Sequence, residues 1–113
     1  MHQQRATMIS DEDAEKAADF LRDNAKKAGE LRGDRIYAEN YLKHLKALLM
    51  AQANDQPVNA REQHAYAHER YLEHLKALRS IVGADEENRA LREAAVMRIE
   101  VWRSWSANVR GKI

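Results

Sequence analysis

The sequence predicts an all-α protein: a long helix followed by a helical hairpin, three main helices in all, joined by coiled-coil-like packing into an oligomeric bundle. Three observations predict it. Four glycines and one proline in 113 residues leave few places for helices to stop. Small and apolar residues recur at alternating spacings of three and four through Ala14, Ala17, Leu21, Asn24, Ala28, Leu31, Arg35, Ala38, Leu42, Leu45 and Leu49, the pattern that keeps one stripe of a helix on a partner helix. Finally, Tyr41-Leu42-Lys43-His44-Leu45-Lys46-Ala47-Leu48 returns as Tyr71-Leu72-Glu73-His74-Leu75-Lys76-Ala77-Leu78, with only the third position changed and Pro57 between the copies. Proline lacks the backbone donor and collides with a continuing helix, so the two copies belong to different helices.

Residues 1–10 read as a flexible lead into a single helical domain spanning 1–113. Ser10 is placed as an N-cap, and Asp11, Glu12 and Asp13 put negative charge against the positive end of the helix dipole. The first helix is therefore expected over about 11–53. Its stripe is mostly alanine in the first half, which allows close approach but buries little area, and leucine in the second, so stability rises towards Leu49. Gly29 and Gly33 each cost about 1 kcal/mol relative to alanine in a helix interior. The stretch from Gly29 to Asp34 is expected to bend or continue, with a break as the alternative. After Pro57, Asn59 and Glu62 have capping-box spacing and open a second helix over about 60–82. Gly83 reads as its C-terminal stop, and Asp85, Glu86 and Glu87 as the acidic first turn of a third helix over about 85–109.

Composition bounds the function. Nineteen lysines and arginines against eighteen acids give a net charge of +1, so bulk electrostatics do not mark a nucleic-acid binder. The basic end is the carboxyl end, where Arg98, Arg103, Arg110 and Lys112 face Glu100 alone. Without cysteine there is no disulfide framework, thiolate metal site or cysteine nucleophile. Met1 to Ile9 lack the apolar run of a signal peptide, and no stretch approaches the roughly 20 apolar residues of a membrane span. A cytoplasmic protein that makes no membrane contact is expected.

Catalytic constellations are incomplete. His64 and His68 stand four apart, the spacing for two imidazoles on one metal, but two ligands are too few. A carboxylate-bridged di-metal bundle wants Glu three residues before each His, and Tyr41, Arg61, Ala65 and Tyr71 occupy those positions. Ser10, Ser80, Ser104 and Ser106 lack a nucleophile-elbow pattern, and no glycine loop could cradle phosphate. No catalytic residue, metal or cofactor is assigned, and no enzyme is expected.

The segment from Arg98 to Arg110 interleaves indoles with guanidinium groups, which is what stacking on bases and neutralising phosphates requires. Arg98, Arg103, Trp105, Arg110 and Lys112 are the candidate nucleic-acid-binding residues. The other reading puts Trp102 and Trp105 in a core or an oligomer interface; Trp102 continues the stripe of Leu91, Ala95 and Ile99 and is expected inside, with Trp105 at its edge. A single stripe cannot cover the apolar residues of three helices in a monomer, so a dimer at least is expected. Leu21, Leu31, Leu42, Leu45, Leu49, Leu72 and Leu75 are the candidate interface.

The order of long helix, turn, Ala-Arg-Glu-Gln-His-Ala-Tyr opening, Tyr-Leu-Glu-His-Leu helix and Leu-Arg-Glu-Ala-Ala…Trp-Arg-Ser ending, from about residue 36 to 110, resembles small helical proteins encoded in phage recombination and replication regions. In layout it is also loosely similar to the recombination mediator of T-even phages. The resemblance implies a non-enzymatic helper of phage DNA metabolism. Taken with the basic, Trp-bearing third helix, it leads to the expectation of a recombination or replication accessory protein that self-associates and contacts single-stranded DNA, a DNA-bound recombination or replication protein, or both. The alternative is a purely protein-binding adaptor or inhibitor that never touches nucleic acid.

Overall fold

The computed structural model describes residues 9–111, which form four helices and no strand: α1 (Asp11–Asp23), α2 (Ala25–Ala51), α3 (Val58–Ala67) and α4 (Glu69–Gly111). These segments divide into two compact units. Among the described residues, a terminal unit takes those up to Ala28 and from Glu87 onward, and a central unit takes Gly29 to Glu86.

The terminal unit starts from its cap. Ser10 is extended (φ −77°, ψ 164°), its hydroxyl accepts the Asp13 N–H at 3.0 Å, and the Asp13 carboxylate accepts the Ser10 N–H at 3.2 Å. Two orphan amides of the first turn are thereby satisfied, and the acids at 11–13 complement the dipole. Along α1, Ala14 and Ala17 are buried and Leu21 and Asn24 half-buried; along this part of α4, Asn88 and Ala95 are buried and Arg92, Ile99, Trp102 and Ser106 half-buried. Alanine contacts bring helices close without saying which residue should meet which. Polar groups supply that information. Asn24 Nδ2 donates to Asn88 Oδ1 at 2.9 Å, Asn88 Nδ2 donates back to Asn24 Oδ1 at 3.2 Å, and Arg92 Nη1 donates to Asn24 Oδ1 at 2.9 Å and to the Leu21 carbonyl at 3.1 Å. Sliding either helix would strand a buried amide, which costs more than the hydrogen bond gains.

The central unit has the leucine half of the stripe. Leu45 and Leu49 are fully covered and meet Ala65 of α3, with Tyr41, Met50 and Tyr71 packed around them. Lys46 ties α3 to α2, its ammonium 3.2 Å from Glu62 and 4.8 Å above the Tyr66 ring centroid. The Tyr66 contact and then the Glu62 contact hold the Lys46 pKa above the ordinary lysine value. Asp85, 1% exposed, accepts from Arg35 Nη1 at 3.2 Å, with Arg32 3.8 Å away; Arg35 also donates to Glu86 and Glu39. Hydrogen bonds to Glu86 and then Asp85 raise the Arg35 pKa further above its already high ordinary value, so the buried carboxylate keeps a permanent cation beside it. His74 Nε2 donates to the Ala38 carbonyl at 2.9 Å.

Helix boundaries depart from the sequence expectation at five places. Helix 11–53 is interrupted at Asn24 and ends at Ala51, while Gly29 and Gly33 are carried inside α2 without a break. Asn24 keeps right-handed dihedrals (φ −88°, ψ −7°) and its N–H still reaches the Phe20 carbonyl at 2.8 Å, so the interruption is slight. Asn59 and Glu62 do not form a capping box: α3 begins at Val58 after Pro57, Asn59 accepts from Ala60, and Glu62 is held by Lys46. The expected helix 60–82 breaks at His68, which turns extended (φ −72°, ψ 141°) while its Nδ1 accepts the Arg70 N–H at 3.0 Å. Having spent its ring on that amide, His68 acts as the cap of α4. Gly83, expected as a stop, lies inside α4 in open space; its cost of about 1 kcal/mol is less than the packing and ion pairs on either side supply.

Leu49→Ala should lower stability by about 2 to 5 kcal/mol, because it opens a cavity in the best-covered part of the chain. Leu75→Ala, at a side chain 40% exposed, should cost less than about 1 kcal/mol. Urea unfolding followed by circular dichroism measures both, and equal losses would show that Leu75 is covered in solution.

Candidate contact surface

On a helix turning 100° per residue, Leu91, Ala94, Arg98, Val101 and Trp105 fall on one flank of α4, beside the inner stripe of Ala95, Ile99 and Trp102. Leu91 is 53% exposed and Trp105 44%; Val101 and Val109 are exposed as well. Next to Leu91 and Ala94 runs a shallow groove of about 290 Å³, walled on the α1 side by Ala17 and Phe20 and rimmed by Asp13, Lys16 and Arg98. The other flank of α4 exposes Val96 and Met97 between Arg92, Glu93 and Glu100.

At the carboxyl end the flank opens into a larger groove of about 730 Å³ between Ile9, Asp11, Trp102, Trp105, Val109 and Arg110. Trp102 is half-buried there, and its Nε1 donates to Asp11 Oδ1 at 2.7 Å. The indole is thus oriented by the first residue of α1, while Trp105 presents its ring to solvent. Of the basic candidates, Arg98 lies 3.9 Å from Asp13 and Arg103 3.1 Å from Glu100. Arg110 is exposed in the groove wall, and Lys112 lies outside the described residues. Hydrogen bonds from the Ser10 backbone and hydroxyl, aided by Arg98, hold the Asp13 carboxyl below the ordinary carboxylate range. Two of the candidate cations therefore have carboxylates of their own chain as neighbours, which weakens their pull on phosphate.

The seven leucines chosen from sequence separate into distinct environments. Leu45 and Leu49 are spent inside the chain against Ala65, so the contact drawn through them is internal. Leu21, Leu31 and Leu42 are half-buried, whereas Leu72 (51%) and Leu75 (40%) are exposed. The two copies of the repeat are used in different rotational settings: Leu42 and Leu45 turn inward in α2, but Tyr71 and His74 take the inner positions in α4. His64 and His68 have ring centroids 5.8 Å apart, but His64 contacts Gln52 and His68 caps α4. Among the described residues no group of three or more His, Asp or Glu could hold a metal ion, and no helix is long and apolar enough to cross a membrane. Ile9 and the bond between Asp11 and Trp102 were not singled out from sequence, and Leu91, read there as part of the inner stripe, is 53% exposed on the flank beside it. No family model, curated protein or solved structure matches this chain.

Two measurements follow from this geometry. A carboxyl held below its unfolded pKa stabilises the fold above that value and loses the contribution as pH falls through the folded one. The melting temperature should accordingly drop as pH falls from about 5 towards 2, and Ser10→Ala should both cost about 1 kcal/mol at neutral pH and flatten that drop. In single-tryptophan variants, acrylamide should quench Trp105 more strongly than Trp102; equal quenching would mean that the Asp11 bond does not hold the inner indole.

Proposed function

We propose that this chain is a non-enzymatic, self-associating accessory protein of phage-type DNA recombination or replication, and that it acts through helix contacts with proteins, its own copies included. The observation that carries the reading is the balance of the terminal unit: its inner stripe is mostly alanine, amide and guanidinium, while Leu91, Val96, Met97, Val101 and Trp105 stand outside. Exposed apolar side chains in that number on one helix segment mark a surface that another protein covers. The link to DNA metabolism rests on the sequence resemblance over residues 36–110. A second reading, direct contact with single-stranded DNA, draws on Trp105 and Arg110 sharing one groove.

Fluorescence anisotropy with a labelled single strand separates the two. Under the protein-contact reading, binding at 150 mM salt should be weaker than about 10 µM and change little with salt, because few phosphates are neutralised. Submicromolar binding that falls steeply with salt, and is lost in Arg103→Glu with Arg110→Glu, would replace it with the strand-binding reading. Under either, adding the protein to a strand-annealing reaction run by a recombinase from the same replicon should alter its rate.

A further inference from the structure

We infer that the junction between α3 and α4 is a pH-sensitive hinge, closed while the His68 imidazole is neutral and released when the ring takes up a second proton.

The direction of one hydrogen bond carries the inference. His68 leaves α3 in extended backbone, and its carbonyl accepts the first amides of α4, from Tyr71 at 3.1 Å and Leu72 at 3.3 Å. Its Nδ1 accepts the Arg70 N–H at 3.0 Å. A backbone amide can only donate, so Nδ1 must offer a lone pair, and the single ring proton is on Nε2. Serine, threonine, asparagine and aspartate usually fill this capping position, and none of them loses its acceptor between about pH 8 and pH 5. Histidine does. A proton on Nδ1 turns the acceptor into a donor facing a donor, and sets a positive charge against the positive end of the α4 dipole. The capping bond is therefore present above the range in which histidine titrates and is lost as pH falls through it.

The groups around the ring act in the same direction. On α3, the His64 ring stands edge-on to His68 with centroids 5.8 Å apart, so a second imidazolium there repels the first. Arg61, seven residues before His68, is a further cation on that helix. From α2, Gln52 is neutral and accepts from His64 Nε2 at 3.1 Å, a bond that survives protonation of His64, and Lys46 is engaged with Glu62 and Tyr66. On α4, Glu69 is exposed, and among the described residues no carboxylate forms an ion pair with His68. What the hinge holds down is the end of α3. Ala65, which closes Leu45 and Leu49, accepts the His68 N–H at 3.2 Å. Losing the cap loosens that turn above the two leucines, while Lys46 keeps its hold on α3 and the opening stays local.

Amide hydrogen exchange of the full chain, followed by NMR between about pH 8 and pH 5.5 and corrected for the pH dependence of the exchange chemistry, tests the hinge. Protection of the Arg70 amide should fall about tenfold across that range, the size of a lost helix cap, and the Leu45 and Leu49 methyl resonances should shift with it. His68→Asn and His68→Asp, caps that do not titrate there, should keep Arg70 protection constant. His64→Gln should leave the wild-type fall in place. A flat wild-type profile would overturn the hinge by showing that the ring does not control the turn. A fall that persists in both His68 variants, or that vanishes in His64→Gln, would overturn it by assigning the response to another group.

Discussion

Two helices lying side by side can hide only one stripe each, and in both units of this chain that stripe is narrower than the apolar surface the sequence supplies. Everything distinctive follows from how the shortfall is met. In the central unit, α3 folds over and Ala65 closes Leu45 and Leu49. The terminal unit's described residues contain no equivalent of α3, and Leu91, Val96, Met97, Val101 and Trp105 stay outside. Both units leave apolar side chains outside, Ile36, Tyr37, Leu72 and Leu75 in one and Leu91, Val101 and Trp105 in the other, but among the described residues only the central unit has a third helix to cover part of its stripe.

What replaces hydrophobic burial in the terminal unit is specificity of pairing. Asn24, Asn88 and Arg92 form a hydrogen-bonded set in which each amide oxygen and nitrogen used has a partner, and such a set adds little net stability while penalising every other register. The central unit has a charged counterpart in Arg35 and Asp85. There a buried carboxylate is tolerated because a guanidinium, which never loses its charge, is bound to it. Both sets stand at positions of the three–four stripe that leucine would fill in a pair of helices held together by area alone.

That stripe was legible from sequence: each position from Ala14 to Leu49 that the spacing selected is buried or half-buried, and Ser10 caps α1 as its chemistry suggests. The misread places share a physical cause. Gly83 and His68 were judged by local preference, and preferences of about 1 kcal/mol yield to packing and to a side chain that happens to reach a free amide. Leu72 and Leu75, expected to share an interface with Leu42 and Leu45, are exposed where Leu42 is half-buried and Leu45 buried, although the letters repeat. Facing depends on which neighbour a helix packs against, and that is not written in a local motif. The groove at Trp102 was half legible: the indoles announced themselves, but Asp11, ninety-one residues away in the chain, could be joined to Trp102 only once the helices were placed.

The alanine seam of α1 and α4 has a consequence for how the sequence can drift. A leucine core loses stability when side chains shrink, but Ala14, Ala17 and Ala95 have almost nothing left to lose. Their vulnerability runs the other way: each added methylene must push the helices apart, stretching the amide pair at Asn24 and Asn88 along with them. Such positions admit glycine or serine and refuse bulk, while the flanks a few ångströms away remain open to change. Sequence change is thereby confined to the flanks, with the spacing of the two helices held still.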